Sequence, residues 1–324
     1  MAHKAPGRSH RKGITIVQLL KMFPDNDTAE RWFEEQRWPN GERHCPDCGS
    51  VRYSVSKNRK PMPYRCKDCR AYFSVRKGTA MESSKIGFQD WAIAFYMMTT
   101  GIKGTSSMKL YREVGIRQAT AWFMMQRIRE GFMGGIDKPF PGPVEADETA
   151  IGGKVKNMSN RKRKERKEAG IGRGTAGKMI VAGVKDRETK MVSAAVVRNT
   201  DAPTLRAFVE DRTEETATVY TDDAGAYKGI NRAHESVNHS AHEYVRGDVH
   251  TNGIEALWSL FKRGYHGTFH HISDQHLDRY VAEFEGRNNI RDMDTIDQMA
   301  FLARAIVGRR IKYDDLVAKA GAAA

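Results

Sequence analysis

Three acidic residues and a lysine stand out by type and setting: Asp147, Asp222, Glu255 and Lys262. Asp147 lies in Val144-Glu145-Ala146-Asp147-Glu148-Thr149. As a strand, this run puts Glu145 and Asp147 on one face and Ala146 and Glu148 on the other. Carboxylates are depleted in strands, so three in four positions call for water or a cation. Asp222 follows Thr218-Val219-Tyr220-Thr221 and is expected at a strand's C-terminal mouth, where α/β sheets place reactive groups. Its neighbour Asp223 leaves that position open by one residue. Glu255 opens a helical stretch, and Lys262 shares its face because two turns take about 7.2 residues. Phosphodiester cleavage needs an activated attacking oxygen and a stabilised leaving oxygen, which two divalent ions about 3.5–4 Å apart provide. Carboxylates are the hard donors that Mg²⁺ or Mn²⁺ prefers, and Lys262 could neutralise an adjoining phosphate. Singly, each residue has an ordinary reading, a strand-end Asp or a solvated Glu–Lys pair. Their combination is what points to chemistry.

All four cysteines fall in one region, as Cys45-Pro46-Asp47-Cys48 and Cys66-Lys67-Asp68-Cys69. Two such pairs match a ribbon in which four thiolates close a tetrahedral Zn²⁺ site. Two disulfides of an exported domain would use the same residues, but no export signal is evident, and the cytosol keeps thiols reduced. A closed shell of four thiolates makes the zinc structural.

The elements needed to position these groups can be read along the chain. Residues 1–40 read as a basic arm followed by two short helices near 14–23 and 28–36, and residues 41–80 as the zinc ribbon. Residues 81–138 are helical. In them a short helix, Gly115 and a second helix outline a helix-turn-helix, with Arg117, Gln118, Thr120, Gln126, Arg127 and Arg129 as DNA contacts. A packing bundle between two domains fits that pattern equally. Residues 139–292 read as an α/β catalytic domain and 293–324 as a helical tail. Within the α/β part, strands are expected at 144–151, 179–184, 191–197 and 218–221, with a fifth between 236 and 245. Helices are expected at 201–214, 252–263 and 274–288. This is the element order of an RNase H-like fold, although order alone fits other three-layer sheets.

Residues 154–178 form a basic insertion with ten Lys or Arg against two Glu, more than half of the chain's net charge of +14. Such blocks are normally disordered and, in a nucleic-acid enzyme, lie along phosphates; Lys154, Arg161, Lys162, Arg163 and Lys164 are the expected contacts. The glycines around it lead into no P-loop, which removes an ATPase reading. Histidines crowd the second half, with His250 and His271 nearest the acids, but no paired zinc-ligand spacing occurs among them. No apolar run is long enough to span a membrane, and a cytoplasmic, nucleoid-associated protein is expected.

The chain resembles the zinc-ribbon DDE transposases of bacterial insertion sequences, the ISXO-like family. The likeness runs through Cys45-Pro46 with Cys48-Gly49-Ser50, Phe73-Ser74-Val75, Gly78-Thr79 and Ser84-Lys85. It continues through Val144-Glu145, Asp147-Glu148-Thr149, Gly152-Gly153-Lys154, Thr221-Asp222 and Tyr227-Lys228. The longest block is His250-Thr251-Asn252, Glu255, Trp258-Ser259-Leu260-Phe261-Lys262-Arg263, followed by Arg279-Tyr280, Glu283, Arg287, Asn289 and Arg291. The resemblance implies that Asp147, Asp222 and Glu255 bind two Mg²⁺ or Mn²⁺ ions, with Lys262 as the basic residue after the third acid. It also implies hydrolysis at the element ends, then 3′-hydroxyl strand transfer into target DNA. Terminal inverted repeats and target are then double-stranded DNA partners, and pairing two ends suggests a homodimer or larger assembly. Some relatives use Asn as third ligand, which gives Asn252 a supporting role beside His250, and Arg263 a DNA contact. Ala150 stands where many relatives carry an aromatic residue. A non-catalytic DNA-binding regulator and an RNase H-like nuclease without strand transfer are the rival readings.

Overall fold

Thr15 and Gln18 form a reciprocal capping box at the start of α1 (Ile16–Met22), and Asp25 caps α2 (Asn26–Arg37). In this computed structural model the described residues are 11–152, 158–168, 178–238 and 245–318. They belong to two units, Met1–Met133 with Ile290–Ala324, and Gly134–Asn289. After α2, β1 (Tyr53–Val55), β2 (Tyr64–Cys66) and β3 (Tyr72–Phe73) form a small antiparallel sheet. Behind it Trp38, Tyr53, Tyr64 and Phe73 pack edge-on or tilted, with centroids 5.3 to 6.2 Å apart. Arg37 fastens the ribbon to α2 by donating to the carbonyls of Val75 at 2.7 Å and Lys77 at 2.6 Å. α3 (Phe88–Thr100) is buried along much of its length, and α4 (Ser107–Val114) ends at Gly115, whose φ of 76° is the left-handed stop before α5 (Gln118–Arg129).

The burial of α5 corrects one sequence expectation. Arg117 and Gln118 are exposed at its start, but Gln126, Arg127 and Arg129 are buried. Arg127 lies over the Phe123 ring, 4.1 Å from its centroid, so its cation is spent on packing and not on a phosphate.

In the second unit, β4 (Val144–Ile151) is the central strand. α6 (Asn160–Glu168) follows it, then β5 (Met179–Asp186), β6 (Val192–Val197), α7 (Ala202–Glu210), β7 (Thr218–Asp222) and β8 (Ala233–Val237). The sheet order is β6-β5-β4-β7-β8. β4, β5 and β6 are antiparallel neighbours, whereas β7 and β8 run parallel to β4. α7 covers one face, over Val144, Ala146, Ala182 and Val219. α8 (Asn252–Gly264) and α9 (Leu277–Asn289) cover the other, over Ile151, Val181 and Val192. Two expectations shift. The fifth strand begins at Ala233, because parallel pairing sets Thr218 against Ala233 and Asp222 against Val237; residues 239–244 lie outside the described residues. Part of the basic insertion is helical in α6, where Arg161 meets Glu165 at 2.7 Å and Lys164 lies 3.9 Å from Glu168, four residues apart each time.

The outer strand β6 is covered by side chains of α9. Asn289 Oδ1 accepts from the Val192 amide at 2.8 Å, and its Nδ2 donates to the Val192 carbonyl at 2.8 Å. Glu285 Oε2 accepts from the Ala194 amide at 3.0 Å. Burial pushes the Glu285 carboxyl up to about 7. Unfolded it titrates near about 4.3, so its contribution to stability is full below that value and is lost as pH rises through about 7. Glu285→Gln keeps an acceptor for the amide. Relative to the native chain it should gain about 1–3 kcal/mol between pH 5 and pH 8, measured by urea denaturation at both. A constant difference across that range would rule the titration out.

Residues Ile290–Ala324 belong with the first unit and not with the α/β domain they follow. α10 (Thr295–Ala305) buries Met299, Ala300, Leu302 and Ala303, an apolar face that needs a partner, and it packs on α2 and α3. The Ala80 amide donates to the Ile306 carbonyl at 3.1 Å, and the Gly308 amide to Gly78 at 2.8 Å. α11 (Tyr313–Val317) sets Tyr313 against Phe123 at 5.4 Å.

Candidate active site

Strand register brings the first two acids together. β4 pairs with β7 in parallel, Val144 against Val219 and Glu145 against Tyr220. Continuing that register sets Asp147 level with Asp222 on the neighbouring strand, both on the face that α8 covers. On the other side of Asp147 the antiparallel ladder places Gly183. A Cβ there would lie 2.6 Å from the Trp258 ring and 3.0 Å from Ile254, so this glycine lets α8 lie close on the sheet. Glu255 stands in the first turn of that helix, and its Oε1 accepts from the Thr251 hydroxyl at 2.7 Å.

Asp147, Glu148, Glu255 and Lys262 line an open cavity of about 520 Å³ together with Thr149, Trp258, Ser259, Arg263 and His266. Burial, and then the charges of Glu148, Asp222 and Glu255, push the Asp147 carboxyl up to about 7. Glu148 is raised too, mainly by burial, although the Tyr227 hydroxyl donates to it at 2.6 Å and works the other way. Asp222 Oδ1 accepts from the Ala224 amide at 3.2 Å. Asp223 is exposed and occupied elsewhere, 3.4 Å from Lys228 Nζ and 3.4 Å from Asn238 Nδ2. Carboxylates held in a buried setting within reach of one another's charge are hard oxygen donors suited to a dication, although among the described residues only the four cysteines bring their ligand atoms within metal-binding distance of one another.

Other residues singled out in the sequence lie elsewhere. Asn252, exposed at the first position of α8, does not line the cavity, and neither does Asp222, whose link to the other acids is its strand register with Asp147 and its charge. His250 sets Nδ1 3.3 Å from Glu145 Oε1 and is not among the residues lining the cavity. Lys154 and the side chain of Lys162 lie outside the described residues, whereas Arg161, Arg163 and Lys164 are exposed on α6. His266, one of the histidines that crowd the second half, lines the cavity from the turn after α8, and Ser259 was missed as a lining residue although the helical phase that links Glu255 to Lys262 also reaches it.

The other centre is the ribbon. The sulfurs of Cys45, Cys48, Cys66 and Cys69 lie within 4.8 Å of one another, with Cys45 to Cys69 and Cys48 to Cys66 each at 3.6 Å. Zn–S bonds of about 2.3 Å in a tetrahedron require sulfurs about 3.8 Å apart, so the cluster fits structural Zn²⁺.

The transposase zinc-ribbon domain matches residues 24–72, and the ISXO2-like transposase domain matches residues 139–289. The chain is also 30% identical, over 285 residues, to a protein of Halobacterium salinarum described as an uncharacterized protein in transposable element ISH50. That alignment covers 84% of this chain and 93% of the relative. The chain belongs to the ISXO2-like transposase family. In this ISXO2-like transposase the matched transposase-domain segment ends with the second unit at Asn289, and the ribbon match takes in all four cysteines. An insertion-sequence transposase acts on DNA, in keeping with the net charge of +14. Among the described residues no helix is long and apolar enough to cross a membrane.

Proposed function

We propose that this transposase hydrolyses DNA at the ends of its element and joins the freed 3′-hydroxyl to target DNA, using Asp147, Asp222 and Glu255 on an RNase H-like sheet. The observation that carries this reading is the convergence of carboxylates from β4, β7 and α8, with Asp147 pushed up to about 7 by burial and by its acidic neighbours. A sheet ordered third, second, first, fourth, fifth, antiparallel through its first three strands, supports the RNase H-like assignment.

Asp147, Asp222 and Glu255 would hold Mg²⁺ or Mn²⁺, and Asp222 is favoured over Asp223 because its charge acts on Asp147 and Glu148. Two such ions supply Lewis-acid stabilisation at the attacking and leaving oxygens. The protein's own groups do the positioning. Lys262 and Arg263 line the same cavity and would hold the phosphates flanking the scissile bond. His266, one turn further, would extend that contact. Thr251 keeps the Glu255 carboxylate oriented. No covalent protein–DNA intermediate is required. The zinc ribbon and the exposed start of α5, Arg117 and Gln118, would read the terminal repeats, while Arg161, Arg163 and Lys164 of α6 would track the backbone. Pairing two ends would bring at least two copies together.

The test is an assay of purified protein with Mg²⁺, labelled element-end DNA and a target plasmid. Nicked ends and joined product are expected. Binding without cleavage would replace this reading with a regulator, and cleavage without joining with a nuclease.

A further inference from the structure

Glu145 is 2% exposed, although it is a carboxylate in the middle of a sheet, and no step proposed above uses it. Its partners explain the burial. Oε2 accepts from the Ile254 amide at 2.9 Å, and Oε1 accepts from Arg187 Nε at 2.9 Å. Arg187 also donates through Nη2 to the His250 carbonyl at 2.7 Å and through Nη1 to the Asp248 carbonyl, and its guanidinium lies 4.4 Å from the centre of the Tyr220 ring. Lys185 Nζ donates to the Gly253 carbonyl at 3.0 Å. These bonds gather on the start of α8, where the local cap is missing. Thr251, at the N-cap position, makes no side-chain cap and gives its hydroxyl to Glu255 instead. The orphan amide at that end is satisfied by a carboxylate from the sheet, which also complements the helix dipole. There is no slack in the fit: a Cβ on Gly253 would lie 2.7 Å from Glu145 Oε2.

We propose that Glu145 and Arg187 form a positioning clamp that fixes where α8 begins and so presents Glu255 to Asp147 and Asp222. The geometry gives the clamp a short lever. Glu145 is two residues before Asp147 on β4, and Ile254 is one residue before Glu255 on α8. One bond, from Ile254 to Glu145, therefore ties the strand of the first acid to the helix of the third. Arg187 locks the approach to the helix by holding the carbonyls at 248 and 250. Neither residue lines the cavity, so both act through Glu255 and not on DNA.

The inference rests on Glu255 being a ligand of the reacting site, and the experiment separates the two claims. Glu145→Gln keeps the shape and an acceptor for Ile254 but loses the ion pair; Arg187→Lys keeps the charge but loses the fork. Each is compared with Glu255→Gln in the full-length chain, using circular dichroism, Mn²⁺ binding followed by electron paramagnetic resonance, and amide exchange of residues 252–256. Both clamp variants should fold, exchange the helix start faster, and bind Mn²⁺ about 10–100-fold more weakly, the range for partners that orient metal ligands. Element-end cleavage should recover part of its rate as Mn²⁺ is raised. Faster exchange with unchanged Mn²⁺ affinity would reduce the clamp to a purely structural device and overturn the proposal. If Glu255→Gln also binds Mn²⁺ normally, the assignment of Glu255 falls and the clamp with it; if only Glu255→Gln loses binding, the clamp alone falls.

Discussion

Replacing Asp147 by Asn is expected to abolish cleavage at element ends while making the metal-free protein more resistant to heat at pH 8. The two effects share one cause. Burial, and then the charges of Glu148, Asp222 and Glu255, push the Asp147 carboxyl up to about 7, against about 3.9 in an unfolded chain. The native state therefore holds that proton more tightly. The group's contribution to stability is full below about pH 4 and is lost as pH rises through about 7, because the native carboxylate must then carry its burial and its like-charged neighbours. Asparagine carries no charge, so the variant's advantage should grow over that interval and level off at about 1–3 kcal/mol, read from thermal melts in EDTA at pH 5 and pH 8. Activity should move the other way. Losing several kcal/mol of charge stabilisation in the transition state slows cleavage by about 10³-fold or more. Mg²⁺ should raise the melting temperature of the native chain but not of the variant. Robust cleavage by Asp147→Asn would remove this residue from the chemistry.

The second large effect is expected at the ribbon. Its strands are only three, three and two residues long, too short to hold together by their ladders, and their core is one layer of aromatic rings. Structural zinc supplies about 10–16 kcal/mol of apparent binding free energy in comparable sites, which for such a module is its folding free energy. Purified protein should carry one zinc per chain. Cys66→Ser, or prolonged chelation, should release it and erase the near-ultraviolet dichroism of Trp38, Tyr53 and Tyr64, which pack on the strands. Far-ultraviolet dichroism should change little, since α2, α3 and the five-stranded sheet do not depend on those thiolates. A Cys66→Ser protein that kept its zinc and its aromatic spectrum would contradict the four-thiolate site.

Much of this arrangement was legible in the chain because it is written locally. The cysteine pairs define the ribbon, the run from Val144 defines β4, and helical phase links Glu255 to Lys262. What escaped depends on contacts between distant segments. Arg127 reads as a DNA contact until Phe123 is seen beneath it. α6 reads as irregular because charge density masks its spaced Arg–Glu and Lys–Glu pairs. Gly183 looks like a weak point in a strand, and only the Trp258 ring 2.6 Å from its missing Cβ reveals why it is there. Glu145 was visible as one acid among three, but its Arg187 lies 42 residues away and its Ile254 109 residues away, beyond any periodicity. The placement of residues Ile290–Ala324 with the first unit is likewise a matter of which apolar surface is available, and no local pattern encodes that.

The amide-like grip of Asn289 and Glu285 on β6 has a consequence for how copies of this protein can meet. An open strand edge invites a neighbour's strand, and two copies could then fuse their sheets into one. Here the amide and carbonyl of Val192 and the amide of Ala194, which would recruit such a neighbour, already have partners inside the same chain. The start of β6 is therefore closed to a second copy's strand, and the other edge of this sheet is β8, at the opposite end.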